Sequence, residues 1–358
     1  MQAYYNIHSI VKISVDTKRP EIIEEYDYYL RNFRVSIKPE HADIEVKDFE
    51  EFSLPHEALN MSDVIFGFDR GVYDKKNGYA LEIKNNTLTL FVKNNDLCIN
   101  SFIEYFLLKN NYTFMHGAAI SYKGKGIIFP APPNTGKTLL VSKLRNRNDV
   151  KFFADDYFIV NQSAMVYSYP MDFSIYDYHF NFFPELKNSL EQLKIKKAFF
   201  ERVVVAIVKD LPIRKSLKKI ARFLKYDFLK GGEYLKIPAG RLIPKEKLGS
   251  SAELKFGIFL EKYNGREFKV EKIKPEIASN EIVGILQTEW SDTIPAYQIL
   301  SSFGLFDFAQ HLFDIKTVAI ATFEKIELYK VFMPVDMENE VRMGKLEAFL
   351  DKEIFGNI

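Results

Sequence analysis

The sequence predicts a protein of mixed α/β class, with helices and a mixed sheet behind a β-rich amino-terminal portion. Three observations predict it. Tyr79–Lys84 and Thr87–Val92 alternate apolar and polar residues on either side of Asn85-Asn86, the pattern of a β-hairpin. Residues 127–130 form an apolar strand that runs into a loop of small residues and then the helix-compatible stretch 138–144. Residues 203–208 are continuously apolar, as in a strand covered on both faces.

Composition bounds the rest. The 358 residues suffice for two or three domains, and 47% are hydrophobic. The 32 Phe and 20 Tyr against a single Trp read first as core filling, because most of these rings lack the basic context of a stacking surface. With 49 Lys and Arg against 48 Asp and Glu, a dedicated nucleic-acid binder is not expected. The single cysteine, Cys98, allows no internal disulfide and fits a reducing compartment. No leader-like segment and no run of 18 apolar residues is found, so a cytoplasmic protein without a membrane span is expected.

Along residues 1–95, strand character is seen at 10–15 and 64–68, followed by the hairpin. His8, His41 and His56 lack the Cys or carboxylate spacing of a metal site. This region reads as a small β-rich domain. Residues 100–110 read as a helix opening a second domain, 96–358, with the boundary near residue 95.

The chemistry is concentrated in residues 114–160. Ala131-Pro132-Pro133-Asn134-Thr135-Gly136-Lys137-Thr138 follows the pattern G-x-x-x-x-G-K-[ST] of a phosphate-binding P-loop, with alanine at the first glycine. The prolines remove two backbone donors, and Asn134, Thr135, Gly136, Lys137 and Thr138 supply the rest. Gly136 allows close backbone approach, Lys137 reaches β- and γ-phosphates, and the Thr138 hydroxyl ligates Mg²⁺. Asp155-Asp156 ends the next strand, 150–154. Paired carboxylates there need a cation or a hydroxyl partner, one holding metal while the other accepts a proton. A hairpin of 116–122 and 126–130 folds His116 back beside the loop, where it serves either as an orienting group or as a structural histidine.

Met115-His116-Gly117-Ala118-Ala119, Gly124-Lys125-Gly126, the 130–138 loop and Ala154-Asp155-Asp156 together resemble the HPr kinase/phosphorylase family and its wider group of HprK-like serine kinases. The resemblance covers residues 112–170. It implies a P-loop kinase domain related to the phosphoenolpyruvate carboxykinase fold, using ATP and Mg²⁺ to phosphorylate a hydroxyl of a protein, peptide or small molecule. By the same resemblance Asp155 is the catalytic base, with His116 and Lys137 catalytic. Thr138, Asp156 and Glu185 are the metal contacts, and oligomers, often hexamers, are implied. The family's glycine-rich dephosphorylation signature is missing, so phosphorylase activity is not expected.

Further on, the aromatic run 176–183 suits either packing or a pocket wall. Residues 184–199 read as a helix, and 212–230 as a basic amphipathic helix. Arg241 is a candidate phosphate clamp. A hairpin around Asn264-Gly265 is expected to pair 256–260 with 267–273. Helices are expected at 275–287, 294–312 and 338–355, with late strands in 317–333. Besides a kinase, an ATPase or nucleotide-sensing regulator and an inactive scaffold fit the same residues.

Overall fold

A computed structural model describes residues 1–62, 65–93, 99–176, 183 and 234–358. Glu185, the 203–208 run, the 184–199 helix, the basic 212–230 segment and most of the 176–183 aromatic run lie outside these. The chain divides into two compact units, Met1–Met171 with Ile243–Ile358, and Asp172–Leu242. Within the second unit, β15 (Phe173–Tyr176) pairs antiparallel with β16 (Tyr234–Ile237), followed by the short helix α4 (Ala239–Leu242).

The first unit carries two mixed sheets among its described residues. The amino-terminal one has nine strands: β1 (Gln2–Ile7), β2 (Val11–Asp16), β3 (Arg34–Val35), β4 (Ile44–Asp48), β5 (Leu59–Ser62), β6 (Ile65–Phe68), β7 (Gly71–Asp74), β8 (Tyr79–Lys84) and β9 (Thr87–Val92). Tyr5, Ile7, Val11, Ile13 and Val15 alternate inward on β1 and β2 beneath α1 (Pro20–Leu30). The β8–β9 hairpin forms as expected, with Asn85 and Asn86 at φ of 50° and 64°, the left-handed pair that a tight hairpin turn requires.

Residue 95 falls between β9 and α2 (Ile99–Leu108). One buried cluster includes Val92, Ile99, Phe102 and Phe114, on both sides of that position. Glu104 of α2 is fully buried and accepts hydrogen bonds from the Thr113 hydroxyl and, at 2.8 Å, the Phe114 N–H. Burial pushes its carboxyl up to about 8. The folded state therefore holds this proton after an unfolded carboxyl near 4.5 has lost it. The resulting stability is fully present below that value and is lost as pH rises through about 8. The unfolding free energy of the wild type, from urea titrations, should fall from pH 5 to pH 9. In Glu104→Gln the fall should be smaller by several kcal/mol, at about 1.4 kcal/mol per tenfold difference in proton affinity. An unchanged slope would exclude Glu104 as the source.

The second sheet has β10 (Tyr112–Tyr122), β11 (Lys125–Pro130), β12 (Val150–Ala154), β13 (Tyr157–Asn161), β14 (Met165–Tyr167), β17 (Ser251–Tyr263), β18 (Lys269–Lys272) and β19 (Glu327–Pro334). β10 and β11 form the expected hairpin, and α3 (Lys137–Leu144) follows. β11 also pairs in parallel with β17, while the ladder runs β11–β10–β13–β14–β17. These five strands therefore close on themselves, and β12 hangs from the far half of β10.

Three expectations are corrected here. β18 does not pair with β17, because β19 lies between them, parallel to β17 over Phe256–Tyr263 and antiparallel to β18. The chain does turn after Tyr263, whose hydroxyl donates to the Glu267 carbonyl, but the strands it separates are held apart by a third. The expected 294–312 helix is two helices, α6 (Ile294–Ser302) and α7 (Phe308–Phe323). Gly304, at φ 68°, breaks the chain, and the Asp307 side chain caps α7 by accepting from the Gln310 N–H at 2.9 Å. Residues 317–323, rich in β-branched side chains, are therefore helical. Ile315, Val318, Ala319 and Thr322 bury one face at helical spacing.

The remaining helices are α5 (Pro275–Glu289) and α8 (Asn339–Phe349), the latter running on into short π and 3₁₀ turns. Among the described residues no helix is long and apolar enough to cross a membrane.

Candidate active site

The site is organised by two consecutive residues of β10. The Gly117 N–H donates to the Asp156 carbonyl at 2.8 Å, and the His116 carbonyl accepts from the Ala131 N–H at 3.3 Å. One strand thus pins both the loop after β11 and the turn after β12. The His116 ring repeats the contact, with Nδ1 2.9 Å from the Ala131 carbonyl. A carbonyl only accepts, so Nδ1 carries the proton and Nε2 presents a lone pair. Burial, reinforced by the Lys137 ammonium, pushes His116 down to about 3. At neutral pH the imidazole is uncharged.

In the loop, the left-handed positions fall on Asn134 (φ 61°) and Gly136 (φ 104°). Ala131 is not one of them, so alanine at the first glycine position strains nothing. The Thr135 hydroxyl donates to the Pro132 carbonyl at 2.8 Å and tightens the turn, leaving Asn134 exposed at its tip. Lys137 opens α3 and is only 6% exposed. Its ammonium donates to the carbonyls of Ala131 at 3.3 Å and Pro132 at 3.1 Å. Burial lowers its proton affinity, and the carboxylates of Asp156, Asp155 and Glu289 oppose that.

Thr138, the next residue of α3, donates its hydroxyl to Asp155 Oδ2 at 2.7 Å. The other oxygen, Asp155 Oδ1, is buried without a hydrogen-bond partner. Burial, and then the adjacent Asp156 charge, raise Asp155 to about 7, against the pull of Thr138 and Lys137. Asp156 is raised by burial and lowered by Lys137. The structure therefore brings His116, Asn134, Thr135, Gly136, Lys137, Thr138, Asp155 and Asp156 to one place.

Glu289 joins them without any signal in the sequence. It is the last residue of α5, and its Oε1 lies 3.8 Å from His116 Nε2. Burial raises its carboxyl, Lys137 lowers it and Asp156 raises it again. A carboxylate at a helix C-terminus also faces the negative end of the helix dipole. Nothing in Gln287-Thr288-Glu289-Trp290 sets this glutamate apart from an ordinary helix end.

Arg241 is an exposed residue of α4 in the second compact unit. Glu185 lies outside the described residues. Among the described residues no group of three or more His, Cys, Asp or Glu side chains is placed to hold a metal ion. A divalent ion at Thr138 and Asp156 would draw most of its oxygens from a bound ligand and water, as Mg²⁺ does with phosphates.

Chemically, the first-turn N–H groups of α3 and the Lys137 ammonium suit an anion. Asp155, poised near neutrality, suits proton transfer. No family model matches the chain, and no curated protein matches it.

Proposed function

We propose that the protein is a kinase that transfers the γ-phosphoryl group of ATP, with Mg²⁺, to a hydroxyl acceptor, within a P-loop architecture like that of the HPr kinases. The observation that carries this reading is the 2.7 Å hydrogen bond from Thr138 to Asp155, which joins the start of the loop's helix to the strand-end carboxylate. Supporting it are the buried Lys137 ammonium on the loop carbonyls and the partnerless Asp155 Oδ1. Thr138 and Asp156 are the residues that would hold Mg²⁺, which would neutralise charge on the phosphate oxygens, leaving Asp155 free to act as the base.

In the transfer, deprotonated Asp155 takes the proton of the acceptor hydroxyl. The hydroxyl oxygen bonds to the γ-phosphorus, the bond from that phosphorus to its bridging oxygen breaks, and ADP leaves. Lys137 balances charge growing on the departing oxygen. Neutral His116, its Nε2 lacking a proton, donates nothing to a phosphate oxygen. It holds the Ala131 carbonyl, and with it the resting place of Lys137. The single Cys98 fits a cytoplasmic setting.

The test is incubation with γ-labelled ATP, Mg²⁺ and a fractionated extract, beside Asp155→Asn. Label moving to an acceptor with wild type alone supports the kinase; phosphate released only to water makes the protein an ATPase. Lys137→Ala should weaken ATP binding, measured by calorimetry, by about 2 kcal/mol or roughly 30-fold, the loss of a charge-assisted phosphate contact. Unchanged affinity would remove the loop from the site.

A further inference from the structure

We propose that a cleft beside the loop binds the acceptor through a cationic amine, so that the substrate is an amine-bearing alcohol. The proposal rests on the kinase reading above and adds the acceptor's chemistry to it.

The cleft measures about 360 Å³, within the range of small-molecule sites. Pro132, Pro133, Phe259 and Ile285 give it apolar walls. Its polar end is an ion triad from three elements: Lys330 of β19 lies 2.6 Å from Glu261 of β17 and 2.5 Å from Glu281 of α5. One positive charge meets two negative ones, so the triad carries a net charge of about −1 when all three groups are ionised. The ammonium offers three donors, while two carboxylates accept at about eight lone-pair sites. Oxygens are left over, and Lys330 is largely enclosed at 13% exposure while Glu281 and Glu261 are more open, at 29% and 42%.

Charge then selects the occupant. A phosphate would meet excess negative charge among apolar walls and is disfavoured. A neutral purine can donate an N–H to a spare oxygen but leaves the excess charge uncompensated. A protonated amine both neutralises it and supplies N–H donors to the spare oxygens. Position links the cleft to the transfer. Pro132 lines it and also accepts the Lys137 ammonium on its carbonyl. Thr288, another lining residue, immediately precedes Glu289. An alcohol anchored by its amine at Glu261 and Glu281 therefore extends its hydroxyl toward Lys137, where the γ-phosphoryl group is placed in the proposed reaction.

The experiment titrates the full chain with 3-aminopropan-1-ol and, separately, propane-1,3-diol, a matched pair differing in the amine, by NMR chemical-shift perturbation. Wild type should bind the amine about tenfold more tightly than the diol. Glu281→Gln, and independently Glu261→Gln, should erase most of that preference while leaving ATP affinity unchanged. Equal binding of the two probes, or an undiminished preference in both variants, overturns the proposal. A variant that instead weakens ATP assigns the cleft to the nucleotide base and overturns it as well. Labelled ATP added to the same samples separates the two readings. Amine preference without any label transfer sinks the kinase and the acceptor role together, leaving an amine site. Transfer to hydroxyls regardless of an amine keeps the kinase and sinks this proposal.

Discussion

Asp155→Asn should lower phosphoryl transfer by about 10²- to 10⁴-fold, the usual worth of a positioned general base, while leaving ATP affinity nearly intact. The same change should make the folded protein more stable above neutral pH. Asp155 is raised from 3.8 to about 7, first by burial and then by Asp156. The folded state therefore keeps a proton that the unfolded chain gives up earlier. Stability is fully present below about 3.8 and is lost as pH rises through about 7. Asparagine keeps an oxygen for the Thr138 hydroxyl and carries no charge to bury. Wild-type activity should rise through about pH 7, because only the deprotonated carboxylate is a base, just where stability declines. Chemical denaturation at pH 6 and pH 8.5 checks the first half, and a pH–rate profile of the wild type checks the second. A mutant that is less stable than wild type at pH 8.5 would show that the buried charge costs the fold nothing.

Gly117→Ala should be the most damaging single methyl group near the site. A Cβ there would stand 2.4 Å from the Phe129 carbonyl oxygen, 2.8 Å from the Pro130 Cα and 2.9 Å from the Phe129 carbonyl carbon. All three are backbone, so β10 and β11 would have to separate where the loop begins. The Gly117 N–H also holds the Asp156 carbonyl, so the displacement reaches both halves of the site. A stability loss of about 3 kcal/mol or more is expected, with loss of ATP binding. Gly344→Ala, inside α8, is the control: a Cβ there meets nothing within 4 Å, and alanine should stabilise that helix by up to about 1 kcal/mol. Thermal denaturation of the two variants side by side measures the contrast. Equal melting temperatures would mean the strands yield more easily than their spacing implies.

What could be read from the sequence was local. The β8–β9 hairpin followed from alternation and two asparagines that accept left-handed φ. The β11–loop–α3 unit and the Asp155-Asp156 turn followed from apolar runs that end in small or charged residues. The errors came where partners are distant. Asn264-Gly265 does mark a turn, yet nothing local says that residues more than sixty positions on will slide between the flanking strands. The 317–323 stretch has strand-like residues, but packing of one helical face overrode that preference. Glu289 was illegible for the same reason: its neighbours in sequence are a helix end, and its neighbours in space are His116 and Lys137.

The closed circuit of five strands also dictates when the site can exist. β11 borders β10 on one side and β17 on the other, and the β17 residues it pairs with, 253–257, are synthesised more than a hundred positions later. Until they emerge, β11 has one unpaired edge, and the loop it carries has no fixed wall on that side. A nascent chain ending at Met171 would thus hold every loop and carboxylate residue of the site except Glu289, and still lack the frame that aligns them. The aligned site belongs to the finished chain, and the unfinished edge is where premature release would invite aggregation.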